Sequence, residues 1–283
     1  MMSEPKNPVE EANGVSDWLD QTLGLDRFPV DVESLALEYS QQHDPESPIT
    51  RIVGEDLPGF EGMLKSNKTK SKWLIIYNSG VSSRGRRRFT VGHEFGHYKL
   101  HRERLSEFTC SHQFMGDWDD DYRGMEKEAD AFSATLLMPH KDFQRQMTGQ
   151  AISFDLMHHC VDRYDVSTTA AALTWVDLAE NRAVLVATKN DRLVWAYSNQ
   201  AAFKSGAYFA TRKQKVEIPQ EALIHRHNQK ASRQIRSSQA RIWFPKEPDG
   251  MPLTEMSWVA DQDNFALTLL LMPEAERPAS LVA

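Results

Sequence analysis

The residues with the clearest chemical potential in this sequence are two histidines separated by a glutamate and two further residues. His93, Glu94 and His97 stand in the order His-Glu-Phe-Gly-His. If this segment is helical, positions four apart lie on one face, and both imidazoles can reach a single Zn²⁺ at about 2.0–2.1 Å. Glu94 is then placed to act as a base on water whose pKa the metal lowers to about 7. The motif predicts a catalytic zinc site; the alternative is an exposed helix that carries two histidines for other reasons.

A third ligand decides between these two interpretations. His101 lies about 12 Å along the helix axis from His93, which is too far for it to share the same metal. A carboxylate on a second helix is the better candidate. Glu126 and Asp130 are four residues apart, so both can face the first helix. Glu126 would complete a His₂Glu set that leaves a fourth position for water, and Asp130 could accept the N–H of a ligand imidazole.

Two features of the site stay open at the level of sequence. Glu128 is the alternative third ligand, although a solvated position suits it better. Without the histidine motif, carboxylates at this place would be explained by their favourable interaction with a helix N-terminus. The donor that would stabilise an oxyanion is unknown. The side chains near enough in sequence to serve are Tyr77, Tyr98, His112, Tyr122 and His140.

The elements that must position these residues are two helices and a group of short strands. One helix is predicted over residues 84–101, and a second runs from about 125 to 138, where Pro139 ends it. An acidic and aromatic loop, 115–123, connects them. Three β segments are predicted before the first helix, over residues 49–53, 60–64 and 73–78.

Two further helices are predicted near the N-terminus. Apolar residues recur at helical spacing between residues 15 and 23, with Ser16 as the expected N-cap and Gly24 as the residue that ends the helix. Another helix begins just after Pro29, with Asp31 as its cap.

Beyond the site, the spacing of apolar residues changes. Two short helices are predicted between residues 153 and 178, on either side of a turn at Asp165. After Asn181 the pattern becomes alternating, which indicates a domain boundary near 180. The strands predicted there are 183–188, 193–197, 241–244, 255–259 and 265–271. The expected domains are therefore 14–150, 151–180 and 181–275.

Composition and charge limit the classes of protein to which this chain can belong. It has 283 residues, a net charge of −7 and 40% apolar residues, which is typical of a soluble globular protein. Its two cysteines cannot form a disulfide framework or a Cys-x-x-Cys metal site. The acidic N-terminus lacks the features of a secretory signal, and the longest apolar run, 265–272, is too short to span a membrane. We expect a cytoplasmic protein without membrane contact, and its oligomeric state stays open.

Two segments of the second half bear on nucleic-acid binding. Residues 153–175 resemble a helix-turn-helix, but the second helix of the pair contains no Lys or Arg that could approach phosphate. Packing, or docking of a repressor, is therefore favoured over DNA binding. Residues 204–241 are rich in Lys and Arg and are interpreted as a solvated flexible insert. The alternative is a contact with an anion, a nucleic acid or an acidic partner.

Three stretches together resemble a known family. They are Trp-Leu-Ile-Ile-Tyr-Asn at 73–78, Arg-Phe-Thr-Val-Gly-His-Glu-Phe-Gly-His at 88–97, and the segment 126–139, which opens Glu-Lys-Glu-Ala-Asp and closes Leu-Leu-Met-Pro. In this combination and order the chain resembles the ImmA/IrrE metallopeptidases over roughly residues 28–140. It departs from the family mildly, with Asp130 where most members have Asn, Phe95 for the commoner Leu and Ser133 for Ala.

The resemblance implies a regulatory endopeptidase. It implies that His93, His97 and Glu126 bind one zinc per chain, or another divalent metal, and that Glu94 is the general base. Members of the family cut helix-turn-helix repressors and thereby switch on stress or mobile-element genes. The alternative is a non-proteolytic transcription regulator or toxin–antitoxin partner whose metal is structural, but such a site has no need of a base at Glu94.

The resemblance also implies a fold class. We expect an α+β protein with a zincin-like N-terminal domain of helices and a small antiparallel sheet. A helical, helix-turn-helix-like middle would follow, and then an α/β C-terminal domain. The radiation-response branch of the family has a similar layout, in which the C-terminal domain is GAF-like.

Overall fold

A computed structural model describes residues 6–104, 107–110, 120–190, 192–211, 216–226, 233–259 and 265–274. Within them the fold is mixed α+β, with eight α-helices and two sheets. The chain divides into two compact units. Unit 1 consists of residues 1–146 and 160–167, and unit 2 of residues 147–159 and 168–283. In the described ranges no helix combines the length and apolar character that a membrane span requires.

Unit 1 carries the histidine motif and is built from helices around a four-stranded sheet. Its elements are α1 (Pro8–Leu23), α2 (Val32–His43), β1 (Ile49–Glu55), β2 (Gly62–Ser66), β3 (Trp73–Asn78), α3 (Arg84–His101), β4 (Glu107–Cys110), α4 (Asp120–Leu137) and α5 (His140–Met147). Helix α6 (Phe154–Tyr164) begins in unit 2 and ends in unit 1.

The sheet of unit 1 is mixed, whereas the sequence predicts an antiparallel one. The strand order is β1-β3-β2-β4, and β1 pairs with β3 in parallel. The other two pairings, β2 with β3 and β2 with β4, are antiparallel. The sheet is mixed because β1 and β2, although consecutive in the chain, are not neighbours in the sheet, and a gap one strand wide lies between them. A hairpin then returns β3 into the gap, beside β1 and in the same direction.

The core of unit 1 lies between the sheet and the two helices that carry the predicted site. Leu64 and Ile75 are fully buried on the sheet, and Phe95 and Phe132 are fully buried on α3 and α4. The rings of these two phenylalanines meet edge to face at a centroid distance of 5.6 Å. Because aromatic side chains bury large areas, this contact fixes which faces of the helices turn inward.

Arg88 ties the first turns of α3 to the rest of unit 1. Its guanidinium donates to the carbonyl oxygens of Tyr164 and Asp165 at 2.9 and 2.6 Å, and to that of Val30 at 2.9 Å. These bonds hold the start of α3 against the end of α6. The Arg-Phe-Thr sequence that leads into the histidine motif therefore includes an anchor for the helix.

Two helix starts differ from the prediction. Helix α1 begins at Pro8, and Asn7 is its N-cap, accepting from the backbone N–H of Val9 at 3.0 Å. Ser16, the expected cap, is buried inside the helix instead. Helix α4 begins at Asp120, so residues 120–123 of the predicted acidic loop are helical. The rest of that loop, 115–119, lies outside the described residues.

Unit 2 is organised around a five-stranded antiparallel sheet in the order β6-β5-β9-β8-β7. Its elements after α6 are α7 (Thr168–Leu178), β5 (Arg182–Lys189), β6 (Arg192–Ser198), α8 (Gln200–Ser205), β7 (Arg233–Gln239), β8 (Pro252–Val259) and β9 (Phe265–Met272). Helices α6 and α7 flank Asp165 as predicted, with Asp165 in a left-handed conformation at φ 50°. The division into three domains and the GAF-like character stay predictions.

Two predictions for unit 2 are wrong. The strand expected at 241–244 is a short 3₁₀ turn, Ala240–Ile242. The basic tract 204–241, interpreted as a flexible insert, contains strand β7. Arg236 and Ser238 on β7 hydrogen-bond to the fully buried carboxylate of Glu255 on β8, at 2.7 Å each. Strand β7 is held by its pairing with β8 and by these hydrogen bonds to Glu255. Because it contains few apolar residues, its sequence shows no alternating pattern.

Asp142 on α5 is the centre of a buried polar cluster in unit 1. It is 4% exposed, and it accepts hydrogen bonds from Arg163 and Tyr164 on α6, each at 2.7 Å. Burial acts to raise the pKa of Asp142, but the hydrogen bonds from Arg163 and Tyr164 outweigh it, and the pKa lies below its usual value. The ionised carboxylate therefore stabilises the packing of α5 against α6.

We predict that Asp142→Asn lowers the stability of unit 1 by about 2–3 kcal/mol at neutral pH, because it removes a buried carboxylate from the partly buried Arg163 guanidinium, whose remaining ion pair is with the exposed Asp26 at 3.6 Å. A lowered pKa stabilises the folded state above the unfolded pKa of about 3.9, and this contribution is lost as the pH falls through the folded value. The difference between wild type and variant should therefore shrink below about pH 4. Thermal unfolding followed by circular dichroism across this range measures it.

The matched control is Asp17→Asn, which removes an exposed ion pair with Lys141 on the same unit. Exposed pairs contribute about 0–1 kcal/mol, so this variant should unfold almost as the wild type does. Equal destabilisation by both substitutions would contradict the structural role of Asp142.

Candidate metal centre

Helix α3 presents both histidines of the motif on its buried side. The helix runs unbroken from Arg84 to His101, and its N-cap Ser83 accepts from the backbone N–H of Arg86. His93 is almost fully buried and His97 is fully buried. Their Nε2 atoms lie 3.0 Å apart. Residues four apart have therefore turned their metal-binding nitrogens towards one point, as the spacing predicts.

Helix α4 brings a carboxylate to the same point. Glu126 places Oε1 3.1 Å from the Nε2 atom of His97 and Oε2 3.4 Å from the Nε2 atom of His93. The ligand atoms of these three residues lie within 4.8 Å of one another. In the part of the chain that is described, they form the cluster of side chains able to hold a metal ion.

Small residues allow α3 and α4 to approach this closely. A Cβ atom on Gly96 would lie 3.2 Å from the Cα atom of Ala129, and one on Gly92 would lie 2.5 Å from the Oγ atom of Ser133. Both distances are shorter than an ordinary contact. The two glycines are one turn apart and face two small residues that are also one turn apart. Gly92 and Gly96 are therefore required for the short distance between α3 and α4, across which Glu126 reaches the histidines.

The donor set fits a zinc ion. Two neutral imidazole nitrogens and one carboxylate oxygen are the ligands of many catalytic zinc sites, in which a fourth position stays open. Burial lowers the pKa of His93, but hydrogen bonds to Asp130 and Glu126 outweigh it and raise the pKa to about 10. Burial lowers the pKa of His97 to about 4. These contacts favour the protonated form of His93, whose proton a bound metal would displace.

The remaining nitrogens of the two histidines are also engaged. Asp130 places Oδ1 2.9 Å from the Nδ1 atom of His93, which is the contact predicted for it. The Nδ1 atom of His97 lies 3.0 Å from the Nδ1 atom of His101. The Nε2 atom of His101 lies 2.8 Å from Oε2 of Glu128. Glu128 therefore contacts His101 and is not a member of the ligand cluster.

The roles of His101 and Glu128 are not predicted by the sequence. The distance along the helix argues against His101 as a ligand of the same metal, and the spacing alone indicates no other role for it. The available signal is the continuation of the histidine repeat, since His93, His97 and His101 are each four residues apart on one face.

Glu94 is fully buried and packs against strand β2. A Cβ atom at Gly62 would lie 2.6 Å from Oε1 of Glu94 and 2.5 Å from Cγ2 of Thr90. A side chain at position 62 would therefore push the Glu94 carboxylate out of its place. Gly62 is a further residue of the site, after His101 and Glu128, that the sequence does not predict.

Strand β4 covers the site from another side. Phe108 is fully buried, and its ring stacks on that of His97 with a centroid distance of 4.5 Å and an interplanar angle of 18°. This contact fixes the plane of the imidazole and keeps water from one of its faces. A ligand ring held in one orientation loses little freedom when it binds a metal.

The candidates for an oxyanion donor are only partly located. Tyr98 is buried in the core, where its hydroxyl donates to the carbonyl oxygen of Ser47 at 2.8 Å. His112 lies outside the described residues. Tyr77, Tyr122 and His140 are all partly buried. The donor therefore stays unassigned.

Comparison with known proteins links this geometry to a peptidase family. The family described as IrrE N-terminal-like domain matches residues 46–175. This match begins and ends later in the chain than the resemblance over roughly residues 28–140. A solved structure, a Mycobacterium tuberculosis transcriptional regulator, superposes with a TM-score of 0.53 at 11% identity, over 94% of this chain and 82% of that chain. No curated protein sequence matches this chain.

Loss of a side chain that contacts a ligand histidine typically lowers metal affinity roughly 10–100-fold. We predict that Glu126→Ala weakens zinc binding by more than this, because it removes a direct ligand. Zinc bound after dialysis and the dissociation constant from chelator competition measure the effect. Asp121→Ala, which removes an exposed carboxylate from the same helix, is the matched control and should bind zinc normally. Undiminished zinc content in Glu126→Ala would exclude Glu126 as a ligand.

Proposed function

We propose that this chain, whose residues 46–175 match the family described as IrrE N-terminal-like domain, is a zinc-dependent endopeptidase. The observation that carries the proposal is the convergence of His93, His97 and Glu126, whose ligand atoms lie within 4.8 Å of one another. Glu94 lies on the same helix, directly after the first histidine. Two imidazoles, a carboxylate ligand and an adjacent carboxylate base are the groups that hydrolysis of an amide at a zinc site requires.

The chemistry divides between the metal and the protein. Bound zinc would supply a Lewis acid and lower the pKa of water to about 7. Glu94 would take the proton of the attacking water and pass it to the leaving amine. His93, His97 and Glu126 would hold the metal, and Gly62 would leave the Glu94 carboxylate the space it occupies. Because Glu94 is fully buried, its orientation is set before substrate arrives.

We propose a helix-turn-helix repressor as the substrate, with derepression of stress or mobile-element genes as the result. This proposal is supported by the resemblance of the chain to the ImmA/IrrE metallopeptidases. It places the reaction in the cytoplasm, where such repressors act. Nucleic acid is not proposed as a partner, because helix α7 (Thr168–Leu178) carries no Lys or Arg.

We predict that Glu94→Gln abolishes cleavage without loss of zinc. General bases typically contribute about 10²–10⁴-fold to the rate, and glutamine cannot accept the proton. The chain is co-expressed with a helix-turn-helix repressor from the same genome, taken from a neighbouring gene where one is present, and the cut product is followed by electrophoresis and mass spectrometry. An intact repressor with the zinc-loaded wild type, under every inducing condition, would contradict the proposed function and favour a structural metal in a non-proteolytic regulator.

We predict that Gly62→Ala lowers cleavage by about 10–100-fold, because the added methyl displaces the Glu94 carboxylate from its place. Zinc content should be unchanged, since the three atoms nearest to the added methyl belong to Thr90 and Glu94 and not to a proposed ligand. Gly14→Ala in α1, where a Cβ meets nothing within 4 Å, is the control and should cleave normally. Wild-type activity in Gly62→Ala would show that this contact does not position Glu94.

A further inference from the structure

A second histidine and a carboxylate lie behind the metal-binding nitrogen of His97. The Nδ1 atom of His97 is 3.0 Å from the Nδ1 atom of His101, and the Nε2 atom of His101 is 2.8 Å from Oε2 of Glu128. His101 is 1% exposed, so its ring nitrogens contact His97 and Glu128 and not solvent. Glu128 is partly exposed at the other end of the chain of contacts.

The positions of the protons along this chain follow from the carboxylate. An ionised carboxylate only accepts, so the Nε2 atom of His101 must carry the hydrogen that faces Glu128. In a neutral imidazole the Nδ1 atom of His101 is then an acceptor. It receives the N–H of the Nδ1 atom of His97, which leaves a lone pair on the Nε2 atom of His97. That lone pair points at the ligand cluster, where Glu126 lies 3.1 Å away.

The opposite arrangement of protons would prevent metal binding. If His101 donated from Nδ1 to His97, the proton of His97 would lie on Nε2, and that nitrogen could not bind a metal. The lone pair of His101 on Nε2 would then face the carboxylate of Glu128 at 2.8 Å. Two acceptors in contact in a buried site are unfavourable. In the chosen tautomer the Nε2 lone pair of His97 faces Glu126 at 3.1 Å, a contact between two acceptors that a bound cation would relieve. With a cation in place, Glu128 therefore selects the tautomer of His97 that can bind zinc.

We propose that His101 and Glu128 are positioning residues of the zinc site, and that Glu128 acts on His97 through His101. The proposal rests on the proposed function, since it concerns the same metal. It gives each ligand histidine an outer partner from α4. Asp130 contacts His93 directly at 2.9 Å, and Glu128 reaches His97 through an intervening imidazole.

The first experiment measures the zinc dissociation constant of the full chain with Glu128→Ala. Outer partners of ligand histidines typically contribute about 10–100-fold to metal affinity, and we expect a loss of this size. The same protein loaded with Co²⁺ should show an altered visible spectrum, because the orientation of the imidazole changes. Asp121→Ala removes one exposed carboxylate from the same helix without a contact to the histidines and is the matched control.

A double mutant tests whether Glu128 acts through His101. His101→Phe removes the acceptor for His97 and keeps a ring in the buried site. In that background Glu128→Ala should cause no further loss of zinc affinity. Additive losses would show that Glu128 acts by its charge alone and would overturn the proposal. Circular dichroism of the zinc-free variants checks folding; if His101→Phe does not fold, the Co²⁺ spectrum of Glu128→Ala decides.

The two proposals fail in different ways. A wild-type chain that binds no zinc overturns the proposed function, and the positioning role falls with it. A wild-type chain that binds zinc tightly, together with a Glu128→Ala variant of equal affinity and equal Co²⁺ spectrum, overturns the positioning role alone.

Discussion

The close approach of α3 and α4 is the constraint on which the rest of the site depends. Gly92 and Gly96 provide no side chains at the contact, and Ala129 and Ser133 fill the space that this leaves. A side chain at either glycine would push the two helices apart and move the Glu126 carboxylate away from the histidine pair. The ligand cluster, the outer carboxylates and the buried aromatic contact between the helices all follow from this one packing arrangement.

The cost of the site is the burial of polar groups. Desolvating imidazoles and carboxylates is unfavourable by several kcal/mol per charge unless each group finds partners. The structure supplies them at both ends of the two ligand histidines, and Phe108 covers one ring face. The same low-polarity surroundings strengthen any interaction with a cation. The contacts that stabilise these buried polar groups in the absence of metal are therefore the same contacts that orient them for metal binding.

The sequence predicts the parts of the structure that depend on local spacing. Helix α3 has the predicted bounds, Asp31 caps α2 as predicted, and one ligand atom from each of His93, His97 and Glu126 lies within 4.8 Å of the others. What it does not predict depends on contacts between elements. The bond from His101 to Glu128 requires a particular rotation and separation of two helices, and spacing within one helix fixes neither. Strand β7 is polar and lies at a sheet edge, so it lacks the alternation by which strands are recognised.

The proposed centre requires one zinc ion between α3 and α4, and X-ray absorption at the zinc edge of the purified chain reports its ligands. We expect one zinc per chain with two imidazole nitrogens at about 2.0–2.1 Å, a carboxylate oxygen at about 2.0–2.2 Å and no sulfur among the ligands. Absence of zinc, or a spectrum dominated by sulfur or by three imidazoles, would contradict it.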